Sequence, residues 1–232
     1  MRIVSYADEP WYRDAPSFGP LRDAWPRFLL HDAVSNRYWS RLYDDFAEFQ
    51  FALVDGDEVL AEGNSIPVSG LPAQWRDAFL SAFARGGEPD RLCAIAVLIG
   101  RERQGAGLSP RLLEHMRGLA AARGWELFAP VRPTWKERYP LIPIESYAGW
   151  RRPDGEHLDP WIRTHVRLGA EPIGTAEEAM LIDGSVADWE EWTGMAFPGD
   201  GDYVVPGGLV PVEVRGGRGV YREPCVWLRH AR

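Results

Sequence analysis

The chain has 232 residues, 45% apolar and 26% charged, the balance of a soluble globular protein with a well-covered core. Its formal net charge of −8 argues against a nucleic-acid partner, which needs a basic face. No run reaches membrane-span length, and the start, Met1-Arg2-Ile3-Val4-Ser5-Tyr6, lacks a long apolar stretch, so a cytoplasmic chain with neither membrane segment nor signal peptide is expected.

In chain order, residues 1–6 read as a first strand and 17–48 as helical, interrupted by Pro20 and Pro26. Two apolar runs, 49–54 and 58–66, flank Asp55-Gly56-Asp57 and predict a hairpin. Trp75, Phe79 and Phe83 recur every four residues and predict a helix over 72–85. Leu92 to Ile99 is apolar throughout, as in a strand buried on both faces. A glycine-rich segment, 100–107, follows it. Ser109 then opens a helix whose stripe is Leu112, Leu113, Met116, Leu119 and Ala120, ended by Gly124. Glu126–Val131 is a further strand. The stretch 132–158 is irregular, and Asp159-Pro160 starts a short helix to Leu168. Strands are expected at 170–173, 179–183, 210–215 and 220–230, with a helix at 185–193. Cys93 and Cys225 sit in apolar surroundings. Free buried thiols are the expectation, a disulfide is the less favoured alternative, and no metal site is indicated.

The order strand, glycine loop, helix, strand over 92–131 carries the chemistry. Glycines there allow close approach of an anion to backbone N–H groups, and the helix N-terminus adds unpaired donors and a positive dipole end. A dinucleotide fingerprint would need a third glycine, and a P-loop would need Gly-Lys-Ser/Thr. Neither is present.

The segment Glu102-Arg103-Gln104-Gly105-Ala106-Gly107 resembles the Arg/Gln-x-x-Gly-x-Gly/Ala motif of the GNAT superfamily of acyltransferases. Glu102 departs from the motif's first position, where Arg101 and Arg103 flank it. His165-Val166-Arg167-Leu168-Gly169-Ala170 is similar to the family's Tyr-x-x-x-Gly-Phe run, with His165 at the tyrosine position. The resemblance covers about residues 48–173. It implies an α/β (α+β) fold: a central mixed, mostly antiparallel sheet flanked by helices, with splayed fourth and fifth strands. The expected organisation is one domain over 1–232, with an elaborated insertion at 132–158 and a C-terminal extension at 184–232.

The resemblance also implies acetyl-CoA, or another acyl-CoA, as co-substrate. Backbone groups near Ile95 and Val97 would meet the pantetheine arm, and Arg103, Gln104, Gly105, Ala106, Gly107, Leu108 and Ser109 would hold the diphosphate. The amine of a small-molecule acceptor would attack the thioester directly, with an N–H near Val97 facing the oxyanion and His165 returning a proton to sulfur. Arg132, Trp135, Glu145 and Tyr147 are the expected acceptor-site residues. Glu62, Glu126 and Glu145 are the carboxylates considered as general base. A non-catalytic acyl-CoA-binding module, or thioester hydrolysis or decarboxylation on the same fold, are the alternatives. Monomer and homodimer both stay open.

Overall fold

The computed structural model describes residues 1–231, leaving aside the side chains of Arg22, Arg85 and Arg101. Strand β1 (Arg2–Ser5) pairs with β2 (Gln50–Asp55), which turns at Gly56, φ +58°, into β3 (Glu58–Val68). The hairpin forms as the Asp-Gly turn predicts. The stretch 17–48 differs from the expected helices. The chain makes 3-10 turns at Pro16–Ala24 and Arg27–His31 before two short helices, α1 (Ala33–Tyr38) and α2 (Arg41–Asp45). Pro20 and Pro26 lack the N–H that an α ladder needs, so the tighter turns prevail. The buried carboxylate of Asp32 caps α1 through Ser35 N (2.7 Å) and also accepts from Leu181 N (3.2 Å), tying the two regions together.

Helix α3 (Trp75–Leu80) continues as a wider π-type turn to Arg85. Then come β4 (Arg91–Ile99), α4 (Leu108–Ala121) and β5 (Glu126–Val131). The stretch 132–158 contains one unforeseen helix, α5 (Ile144–Ala148). Helix α6 (Pro160–Arg167) is capped by Asp159, which accepts from the amides of Trp161 and Ile162, as the Asp-Pro pair predicts. Where two strands were expected, β6 runs unbroken over Ala170–Ser185, with its register shifting near Gly174 and between Ala176 and Met180. Helix α7 (Val186–Thr193) opens with a Ser185–Asp188 capping box, and β7 (Gly201–Tyr203), β8 (Val212–Arg215) and β9 (Arg218–His230) follow.

The sheet order is β1-β2-β3-β4-β5-β9-β8-β7, with β6 also on β9. All pairings are antiparallel except β4 with β5. The segment 184–232, expected as an extension, thus supplies β9, the strand lying beside β5. On one face, Leu112, Leu113 and Met116 of α4 and Ile162 of α6 pack against Ala94, Ala129 and Val131. On the other, Tyr43, Trp75, Phe79 and Trp189 pack against Cys93, Ile95, Phe128 and Trp227. Tyr12, Phe18 and Leu21 cover Ala96 and Leu98. Both cysteines are free and buried. Among the described residues, no helix is long and apolar enough to cross a membrane.

Candidate active site

Strands β4 and β5 touch only at their starts. Their parallel register covers Arg91↔Glu126, Leu92↔Leu127 and Cys93↔Phe128 and then stops. From there β5 follows β9, pairing Leu127–Val131 with His230–Val226, while β4 stays on β3 to Ile99. Two strands held by different neighbours diverge, which leaves the outer edge of β4 unpaired beyond Cys93. The β3–β4 register also shifts, because Asn64 and Ser65 face Ala96 and Ala94, so Ile95 bulges out. Its carbonyl accepts from Trp75 Nε1 at 3.0 Å. That acceptor is therefore engaged, whereas Val97, opposite Gly63, lies within the unpaired stretch.

The glycine loop stands at the open end of this gap. Gly105 and Gly107 have φ of +82° and +73°, a left-handed backbone that side chains with a Cβ adopt only at a cost. Gly107 is the N-cap of α4 and gives it no side-chain cap. The helix therefore starts at Leu108, one residue earlier than expected, and Ser109 lies inside its first turn. Ala106 N bonds to Arg103 O, but the amides of Gly105, Gly107, Leu108 and Ser109 find no acceptor among the described residues. Converging free N–H groups at a helix N-terminus suit a phosphate. Arg103 pairs with Glu58, Gln104 to Gly107 are exposed, and the side chain of Arg101 lies outside what the structure describes.

His165 lies at the closed end of the gap. It is 1% exposed, stacks edge-on against Trp161, and its Nδ1 is 2.9 Å from His230 Nε2. His230 pairs with Leu127, next to the last β4–β5 contact. Burial, and then the neighbouring His230, hold the His165 pKa well below its ordinary value, so the ring is neutral at neutral pH. Its Nε2 is buried without a hydrogen-bond partner among the described residues.

The four expected acceptor residues are dispersed. Arg132 forms an ion pair with Glu223 and donates to Gly207 O. Glu223, raised in pKa by burial, also accepts from Tyr221 OH. The fully buried Lys136 joins this cluster, donating to Tyr139 O (2.8 Å) and Leu209 O (2.7 Å), and burial lowers it to about 8. Trp135 N and Tyr147 OH both donate to Asp159 Oδ2, at 2.8 and 2.9 Å. These bonds fold the stretch after β5 onto the cap of α6. Glu145 is exposed and accepts from Thr175. Of the three candidate bases, Glu126 sits at the closed end opposite Arg91, and Glu62 lies on β3, across from Leu98 of β4.

Sequence reasoning missed the residues around Glu62. Tyr43 OH donates to Glu62 Oε1 at 2.6 Å and accepts from Asn64 Nδ2 at 3.0 Å, while Asn64 also donates to Gln50. The signal was available: Glu62 and Asn64 interrupt an otherwise apolar strand, and buried polar groups need partners. Two cavities, of about 220 and 260 Å³, lie away from the loop, one beside Arg117 and His230 and the other beside Ile144 and Arg222.

No family model matches the chain. It is 32% identical over 250 residues to the arginine N-acetyltransferase avaD of Aspergillus versicolor, with 91% of this chain and 86% of that protein covered. Among solved structures, the loading GNATL domain of CurA from Lyngbya majuscula superposes with a TM-score of 0.66 at 19% identity, over 99% of this chain and 96% of that one. A GNAT-like decarboxylase, GphF, in complex with isobutyryl-CoA superposes with a TM-score of 0.64 at 17% identity, over 100% and 99% of the two chains. These two share its fold.

Proposed function

The chain belongs to the GNAT superfamily of N-acetyltransferases, and we propose that it transfers the acetyl group of acetyl-CoA, by direct attack, to the amine of a small acceptor of the arginine class. The observation that carries the reading is the set of unpaired amides at Gly105, Gly107, Leu108 and Ser109, beside strands that part after Cys93. In this reading the diphosphate rests on those amides, favoured by the dipole of α4. The pantetheine arm enters along the unpaired edge of β4 near Ile95 and Val97.

The acceptor nitrogen attacks the thioester carbonyl, the C–N bond forms, and the C–S bond breaks as charge passes through the oxyanion. An N–H near Val97 stabilises that charge. The amine loses its proton, and the thiolate leaves as a thiol. His165 is proposed to help as a neutral N–H donor toward sulfur, oriented through Nδ1 by His230. An imidazolium role does not suit so buried a ring. Holding donor and acceptor together supplies much of the rate. The arginine class of acceptor is taken from the named activity of the relative in Aspergillus versicolor.

Calorimetry with acetyl-CoA, followed by free-thiol release with and without arginine, tests the proposal. Binding heat and thiol release that depends on arginine are expected. Absence of heat would remove the donor, and release indifferent to any amine would replace transfer with hydrolysis.

A further inference from the structure

The face of the sheet opposite α4 holds a cage that the chain fills with one of its own arginines. Glu62 and Asn64, 1% and 0% exposed, stand on β3 across from Leu98 and Ala96 of β4. Cross-strand partners share a face, so both point to the side opposite α4. Tyr43 lies over them, its hydroxyl bonded to both. Tyr6 meets the Tyr43 ring edge-on, with centroids 4.9 Å apart, and Tyr12 meets Tyr6 at 6.0 Å. The guanidinium of Arg13 enters this cage. Its Cζ is 3.7 Å from the Tyr43 centroid, 6.0 Å from Tyr6 and 5.9 Å from Phe18.

Arg13 is weakly held there. Among the described residues its Nε is buried with no hydrogen-bond partner and its guanidinium makes no ion pair, the ion pair of this segment being Arg2 with Glu9. Among the described residues, ring faces are its closest contacts in the cage. Tyr12 OH and Asn64 Oδ1, also buried, likewise find no hydrogen-bond partner among the described residues. A cage with a carboxylate floor, aromatic walls and unsatisfied polar atoms has the chemistry of a guanidinium site.

Resting on the acetyltransferase reading, we propose that this cage is the subsite for the guanidinium of the acceptor, and that Arg13 is an internal stand-in that the acceptor displaces. Glu62 is paired with Leu98, the neighbour of Val97, on a strand roughly 4.8 Å from β4, and the three-methylene arm of an arginine has the length to cross from there over β4 toward the gap. The planar head would stack on Tyr43, the carboxylate of Glu62 would supply the charge, and the α-amine would reach the gap. Arg13 is half-buried at the end of a short turn, Pro10–Arg13, that the buried Tyr12 anchors; it belongs to no strand, so its side chain can leave without breaking a strand pairing. An occupied site lowers apparent affinity by the fraction of time it is filled.

The test compares arginine with citrulline, its neutral isostere, by thiol release at saturating acetyl-CoA, in wild type, Arg13→Gln and Glu62→Gln. The Kd for acetyl-CoA is measured by calorimetry in each. Wild type should prefer arginine by tenfold or more. Arg13→Gln should lower KM for arginine by about 2- to 30-fold, the range of one lost cation–π contact. Glu62→Gln should reduce the arginine-to-citrulline preference by tenfold or more with acetyl-CoA affinity kept. If Glu62→Gln does not fold, Arg13→Gln and the wild-type preference still decide the matter. Equal use of citrulline, or an arginine KM unmoved in Arg13→Gln, overturns the subsite while leaving acetyl transfer intact. Loss of acetyl-CoA binding in the wild type would instead overturn the parent reading.

Discussion

Replacing Gly107 by alanine isolates the proposed diphosphate contact. A Cβ built at Gly107 meets nothing within 4 Å, so no clash accompanies the change. The left-handed backbone, φ +73° and ψ 21°, is the cost, roughly 1–2 kcal/mol for a residue with a Cβ. The variant should therefore fold, with a modestly lower Tm. The added methyl stands among the free amides of Gly107 and Leu108. Loss of one charge-assisted bond to the diphosphate, about 1.5–3 kcal/mol, weakens CoA binding by roughly 10- to 100-fold. Calorimetry with CoA and with pantetheine, which lacks the diphosphate, reads the effect: CoA should suffer and pantetheine should not. Gly118→Ala is the control. It lies exposed within α4 with nothing within 4 Å, so it should stabilise by about 0.5–1 kcal/mol and leave CoA affinity alone. Unchanged CoA affinity in Gly107→Ala, or equal losses for CoA and pantetheine, would refute the assignment of those amides.

The His165–His230 pair makes stability depend on pH. Burial, then Arg117, lowers His230 to about 4, so the unfolded chain takes up its proton first and stability falls as pH drops from 6.5 toward 4. Urea unfolding should lose about 2 kcal/mol from His230 alone between pH 7.5 and pH 5, and His165→Phe/His230→Leu should flatten that slope. In the same pair, His165→Ala should lower kcat while leaving the Kd for acetyl-CoA nearly unchanged; an unaltered kcat would exclude it from proton handling. Arg132→Met should destabilise by about 3 kcal/mol, because it strands the buried Glu223, and adding Glu223→Leu should recover most of that loss. A raised acceptor KM with unchanged stability would instead make Arg132 an acceptor contact.

The parts of the chain that were legible in advance are those whose cause is local. Gly56 turns the β2–β3 hairpin, and Gly105 and Gly107 supply the positive φ that lets the chain leave β4 and enter α4. Asp159 and Pro160 mark the start of α6 because cap and first turn are neighbours in sequence. Even the error at Ser109 is local: a left-handed glycine took the cap a serine would have filled. Between residues 17 and 48 the apolar positions followed no clean helical period, and the prolines resolved the ambiguity toward 3-10 turns.

What stayed hidden depends on register. Arg132 reads as an acceptor-site cation until β9 brings Glu223 beside it, and His165 as a lone proton donor until the same strand delivers His230. Arg13 is one arginine among many until β3 sets Glu62 and Asn64 beneath Tyr43. In each case one partner comes from a helix, turn or loop and the other from a sheet position that only strand pairing specifies. The interrupted strand Glu62-Gly63-Asn64 is the exception, and it points to where function sits. A carboxylate and an amide inside an apolar run cost stability unless other elements satisfy them. Tyr43 bonds to both and Gln50 to Asn64, and among the described residues Asn64 Oδ1 has no partner. Polar groups placed this expensively on the strand next to β4 are better explained by a ligand they meet than by packing.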